Sequence, residues 1–110
     1  MQKPDEIRLR HMLDASREAV HFISARNRQD LNTDRMLVLS LTREIEIIGE
    51  AASRVSEPCR SHLPSIPWQD IIGMRNRLIH AYFDVDLDIV WDVVTHDLPE
   101  LIRILDPFIC

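Results

Sequence analysis

The stretch Trp68-Gln-Asp-Ile-Ile-Gly-Met-Arg-Asn-Arg-Leu-Ile-His-Ala-Tyr82 decides how the rest of the chain is read. It reads as a helix, with Pro67 at its first turn, where a missing N–H costs nothing. At about 100° per residue, Trp68, Ile71, Ile72, Met74, Leu78 and Ile79 fall on one broad apolar arc. Arg75 falls near the middle of that arc. Asn76 and His80 are one turn apart and share its rim. A guanidinium buried without a partner is costly, so Arg75 requires a counter-charge, a wet crevice or a ligand.

The remaining composition agrees with helices throughout. Only two glycines occur in 110 residues, and there is no strand-like alternation of Val, Thr and aromatics. One domain over residues 1–110 is expected, all-α, a bundle of four or five helices, with a homodimer completing its modest core. The net charge of −5 argues against sequence-independent nucleic-acid binding through a broadly basic surface. It leaves room for a local cationic site acting on RNA. Cys59 and Cys110 are too few for a disulfide scaffold. The Met1–Glu6 segment has no apolar signal region, and no apolar run reaches membrane-spanning length, so a cytoplasmic protein is expected.

Outward from the central stretch, residues 5–28 form a first helical pattern, with Leu9, Met12, Leu13, Ser16, Val20 and Ile23 at a period close to 3.6. Residues 27–34 read as a short polar turn, with Asn32 or Thr33 as N-cap and Asp34 in the first turn of the next helix. That helix runs over roughly residues 34–57, with Leu37, Leu41, Ile48, Ala52 and Val55 on one side and Ile47 and Ala51 widening the stripe. Glu46 and Glu50 lie one turn apart on it; either is a solvated edge residue or the partner of Arg75. Residues 58–67, with Pro58, Pro64 and Pro67, read as a connecting loop. The central helix is expected to end near residues 81–83, with Asp86 capping the next helix through Ile89, Val90, Val93 and Val94 and Trp91 at an edge. Pro99 either starts a further helix or kinks this one.

Several constellations fail on spacing. Asp84, Asp86 and Asp88 alternate like a calcium loop, but Ile89 and Thr95 stand where glycine and glutamate are required. Cys59 and His62 lack a second Cys/His pair for zinc. No phosphate-binding glycine loop or Gly-x-Ser-x-Gly elbow is present. His11, His21 and His96 are scattered and read as surface residues. No cofactor is expected.

What remains is Arg75-Asn76-Arg77-Leu78-Ile79-His80-Ala81-Tyr82. An imidazole titrates near neutrality and serves as general acid or base. A guanidinium is permanently cationic, and its planar fork suits a phosphate. Together they are the minimum for cleaving RNA without a metal, the imidazole acting on the ribose 2′-OH or the leaving oxygen and the guanidinium on the phosphorane-like charge. Five residues apart, however, Arg75 and His80 project about 140° from each other on an ideal helix. They converge only if the helix frays near His80, if Arg75 bends back, or if two subunits combine at a two-fold interface.

These residues resemble the HepT-like toxins, a branch of the HEPN superfamily. The HEPN signature is Arg, four to six residues, then His, and Arg75-x4-His80 fits it; Tyr82 matches the tyrosine that the HepT-like extension adds two residues on. Residues 45–52 (Ile-Glu-Ile-Ile-Gly-Glu-Ala-Ala), Ile66-Pro-Trp68, 70–77 (Asp-Ile-Ile-Gly-Met-Arg-Asn-Arg), 82–86 (Tyr-Phe-Asp-Val-Asp) and Val90-Trp91 are similar to that family too, in the expected order over nearly the whole chain.

The resemblance implies a HEPN-like helical bundle, homodimeric, with the motif at a shared cleft. It implies a metal-independent endoribonuclease, the toxin of a type II/VII-like toxin–antitoxin system, with RNA as substrate. The implied partner is a nucleotidyltransferase antitoxin of the minimal (MNT) type, which neutralises the toxin by adenylylating the motif tyrosine. On that pattern Arg75 and His80 are catalytic, Asn76 is a supporting polar residue and Tyr82 is the modification site, where added negative charge would compete with RNA. Two rival readings stand beside it. One is a non-catalytic nucleotide- or substrate-binding subunit of a nucleotidyltransferase, using Arg75 and Asn76. The other is a structural interaction domain in which Arg75 simply meets Glu46 or Glu50.

Overall fold

The structure, a computed structural model, describes residues 2–81 and 84–109. Met1, Tyr82, Phe83 and Cys110 lie outside the described residues, as do the side chains of His80 and Ala81. The chain is all-α apart from one short hairpin. Its elements are α1 (Lys3–Phe22), α2 (Asp30–Thr33), α3 (Arg35–Ser53), α4 (Glu57–His62), α5 (Trp68–Leu78), β1 (Ile79–Ala81), β2 (Asp84–Val85), α6 (Leu87–Asp92) and α7 (Leu98–Ile109). The helices α7, α1, α3 and α5 pack in that order, so α3 touches both α1 and the motif helix α5.

Helix α1 follows its periodicity. Leu9, Met12, Leu13 and Ser16 are buried as expected, and Val20 and Ile23 are half-buried. It stops at Phe22, short of residue 28, and the chain turns at Ala25 with φ 61°. The polar run after it holds a four-residue helix, α2, where only a turn was expected. The cap of α3 is Asp34 rather than Asn32 or Thr33: its Oδ1 accepts the Leu37 N–H at 3.0 Å. A carboxylate satisfies an orphan donor there and also complements the positive end of the helix.

Helix α3 ends at Ser53, not near Glu57, because Ser56 starts a separate helix. The proline-bearing segment is therefore not all loop: Pro58 sits in the first turn of α4, where it fits. Ser56 Oγ accepts from Cys59 N at 3.4 Å and donates to Asp5 Oδ2 at 2.6 Å, while Ser56 N donates to Asp5 Oδ1 at 2.9 Å. Asp5 is buried and its carboxyl is held below the usual range by the Ser56 hydroxyl, then the Ser56 N–H. This ties the start of α1 to the start of α4. Arg60 stacks over the Trp68 ring at 5.6 Å and donates to the carbonyls of Ala52, Ser53 and Val55, closing the end of α3 onto α5.

Pro67 lies one position before α5, and its carbonyl accepts the Ile71 N–H at 2.9 Å. Gly49 lets α5 lie close to α3: a Cβ there would stand 3.3 Å from the Ile72 carbonyl oxygen and 3.4 Å from that of Ile71. Asp86 caps α6 as expected, accepting from Ile89 N at 3.1 Å, and Trp91 is half-buried. Between α6 and α7, residues Val93–Asp97 form a widened π turn in which the Leu98 N–H bonds to the Val93 carbonyl. Pro99 follows directly as the second residue of α7, so of its two expected roles it takes the first, standing in the opening turn of a further helix. The wider turn accommodates a residue that cannot donate and whose ring crowds the preceding turn.

Candidate functional site

The motif helix ends earlier than its apolar periodicity suggests. Helix α5 stops at Leu78, and Ile79 is extended at φ −109°, ψ 112°. Residues Ile79–Ala81 form β1, antiparallel to β2, with Ile79 opposite Val85 and Ala81 opposite Asp84. The Asp86 N–H donates to the Leu78 carbonyl at 2.6 Å. Thus the last carbonyl of α5 finds its partner just past the returning strand instead of in another helical turn. The backbone of His80 is in β1, while its side chain and all of Tyr82 lie outside the described residues. The 140° separation expected on an ideal helix does not apply here, because His80 is not on the helix.

Arg75 is also placed differently from the helical-wheel reading. The residues of α5 that enter the core are Ile71, Met74 and Leu78, with Trp68, Ile72 and Ile79 half-buried. The buried face is therefore centred away from Arg75, which lies at its edge with a side chain 52% exposed. The counter-charge is nonetheless there. Arg75 Nε donates to Glu46 Oε2 at 2.9 Å. Glu50 faces Arg54 instead, at 2.7 Å. Because Glu46 engages Nε, the pairing orients the guanidinium while its terminal nitrogens make no ion pair or hydrogen bond among the described residues. Asn76 is exposed beside it, and Arg77 reaches Asp97 of the π turn at 3.5 Å.

A further ionisable residue of α3, outside the motif, is buried. Glu44 is 5% exposed, and its Oε2 has no hydrogen-bond partner. Burial first, then a hydrogen bond with Glu18 and the negative charge of Glu18, push its carboxyl up to about 7. Two ionised carboxylates have no proton to share, so that contact requires Glu44 to be the protonated member. The signal was legible: Glu44 stands in the Leu37, Leu41, Ile48 stripe at helical spacing. The remaining histidines His11, His21 and His96 are exposed as expected. Among the described residues no group of three or more His, Cys, Asp or Glu is arranged to hold a metal ion. No described helix is long and apolar enough to cross a membrane.

The model of the family described as "Ribonuclease HepT-like" matches residues 12–108. The chain belongs to the HepT-like ribonuclease family. Members similar to it include "Probable ribonuclease HepT" of Thermococcus cleftensis, 36% identical over 88 residues that span 76% of this chain and 80% of that one. "Putative RNase TTE0752" of Caldanaerobacter subterraneus is 33% identical, covering 84% of this chain and 83% of its own. "Putative RNase MJ1380" of Methanocaldococcus jannaschii is 30% identical, covering 82% and 83%. No solved structure matches the chain. The all-α architecture described above agrees with the HEPN-like bundle that the family implies.

Proposed function

We propose that this protein is an RNA-cleaving toxin whose acid–base residue is His80 and whose phosphate-binding residue is Arg75. The observation that carries the reading is the state of Arg75: exposed, oriented through Nε by Glu46, and three residues before the point where α5 gives way to the strand bearing His80. An anchored guanidinium with its outer edge facing solvent is suited to phosphate oxygens.

In the proposed reaction the His80 imidazole takes the proton of a ribose 2′-OH. The 2′-oxygen attacks the adjacent phosphorus, the bond to the 5′-oxygen breaks, and that oxygen leaves as a hydroxyl with the proton returned by the His80 imidazolium. The products are a 2′,3′-cyclic phosphate and a 5′-OH end. Arg75 stabilises the charge on the pentacoordinate phosphorus oxygens, and the two side chains do this without a metal. Asn76 supports the substrate as a neighbouring polar group. The active unit in this reading is a homodimer with two motifs facing a shared cleft; Met36 and Leu39, exposed at the start of α3, supply apolar surface for the second copy. A nucleotidyltransferase antitoxin would silence the site by adenylylating Tyr82, adding a phosphodiester charge beside the cleft.

Expression of wild type, His80→Ala and Arg75→Ala in cells, followed by growth and RNA integrity, tests the assignment. Growth arrest with RNA fragmentation in the wild type alone is expected. Equal toxicity in all three would overturn it. A purified protein that binds ATP and leaves RNA intact would instead favour a nucleotide-binding subunit.

A further inference from the structure

We infer that the groove between α1 and α3 is a track for the sugar–phosphate backbone of single-stranded RNA, leading to Arg75; the inference rests on the ribonuclease reading above. The groove holds about 290 Å³ and is lined by Arg8 and His11 from α1 and by Arg43, Glu46, Glu50 and Arg54 from α3. Its two carboxylates are already committed, Glu46 to Arg75 and Glu50 to Arg54. Arg8 and Arg43 make no ion pair among the described residues.

Lys3, Arg10 and Arg35 likewise make no ion pair among the described residues, but none of them lines this groove. Arg17, Arg26, Arg28, Arg77 and Arg103 are each bonded to an Asp or Glu, and Arg60 is spent on backbone carbonyls. Two further carboxyls near the groove arginines are themselves occupied. Asp5, near Arg8, accepts from Ser56, and Glu44, near Arg43, is buried against Glu18. On a molecule of net charge −5, two uncommitted arginines, Arg8 and Arg43, therefore line one groove. Counting Arg75, four guanidiniums face two carboxylates there.

The groove also leads to the motif. Glu46 is at once its wall and the acceptor of Arg75, so the guanidinium proposed to bind the scissile phosphate stands at the groove's α5 side. Along α3, residues 43 to 54 span about 16 Å at the helical rise, enough for several backbone phosphates in succession. Planar guanidinium forks suit each phosphate, and Ile47 between them offers apolar surface to a sugar or base.

The test uses the full chain carrying His80→Ala, so that bound RNA stays intact, and an unstructured fluorescein-labelled RNA of about 20 nucleotides. Binding is followed by fluorescence anisotropy across a salt series. Adding Arg8→Gln and Arg43→Gln is expected to weaken binding about tenfold at moderate salt and to reduce the slope of log K against log salt by about 1.4, two contacts at about 0.7 each. Arg103→Gln, on α7, is expected to leave both unchanged, and circular dichroism checks the fold of each variant. Unchanged affinity and slope in the double variant would overturn the track. Cleavage by the His80-intact protein separates the two claims. Cleavage with binding that ignores Arg8 and Arg43 removes the track and leaves the ribonuclease reading standing. Arg8- and Arg43-dependent binding without cleavage by the intact protein does the reverse. A protein that neither binds nor cuts the RNA loses both.

Discussion

Arg75 on α5 and Glu46 on α3 meet at 2.9 Å through Nε and Oε2, joining the motif helix to the central helix of the bundle. Both side chains are partly exposed, Arg75 by 52% and Glu46 by 33%. A pair this wet contributes little to folding, about 0–1 kcal/mol. Its value is orientation. Glu46→Gln is expected to leave thermal unfolding nearly unchanged while lowering RNA cleavage about tenfold or more, since a slightly displaced guanidinium costs far more in rate than in stability. Equal loss of stability and activity would show that the pair acts structurally.

Gly49 sets the distance across which that pair forms. Its missing Cβ would stand 3.3 Å from the Ile72 carbonyl oxygen, so the backbones of α3 and α5 are close there, one turn from Glu46. Gly49→Val is expected to push α5 outward and destabilise by about 1–3 kcal/mol, as overpacking does elsewhere. Urea unfolding reads the loss, and cleavage should fall further than for Glu46→Gln because the whole motif helix moves.

Glu44 makes stability depend on pH in a direction opposite to most acids. Its carboxyl is near 4.5 when unfolded and is raised to about 7 in the fold. The folded state therefore binds a proton that the unfolded state has released, and stability falls as pH rises between those values. The contribution is complete below about pH 4.5 and lost as pH passes 7. Glu44→Gln, neutral at every pH, should equal wild type near pH 5 and exceed it by on the order of 2 kcal/mol near pH 8. Denaturation at the two pH values checks it; the same difference at both would remove the burial argument.

Ala25 turns the chain out of α1 in the left-handed region, at φ 61°. A Cβ is strained there by about 1 kcal/mol, and glycine is not. Ala25→Gly is expected to raise the melting temperature by a few degrees, offset in part by the extra freedom glycine has when unfolded. A lower melting temperature would mean that this turn relaxes.

Much of this was readable from residues alone. The 3.6-residue spacing of Leu9, Met12, Leu13 and Ser16 placed α1 and its buried face, and Asp86 announced itself as a cap. Those signals are local. A helix face or an N-cap is satisfied within a few residues, so sequence spacing carries the information. The family likeness around Arg75, His80 and Tyr82 is of the same kind, a short motif in a recognisable setting, and the match over residues 12–108 agrees with it.

The limits of the motif helix were not local. Its apolar period runs on past Leu78, yet the last carbonyl is taken by Asp86, eight residues later, and Ile79 pairs with Val85. Helical propensity is worth tenths of a kcal/mol per residue and yields to such partners. The choice between Glu46 and Glu50 depended in the same way on how α3 lies against α5. Both are on α3, one turn apart, and where α3 and α5 lie close at Gly49 it is Glu46 that reaches Arg75 while Glu50 pairs with Arg54.

The sequence by itself thus determined the long helices, the Asp86 cap and the family likeness, because each rests on neighbours a turn or two away. Tertiary structure alone decided that Arg75 is exposed and braced, that α5 stops before His80, and that Glu44 is buried beside Glu18. Each of these depends on which elements meet and in what register, and packing contacts between distant residues outweigh the small local preferences that a sequence displays.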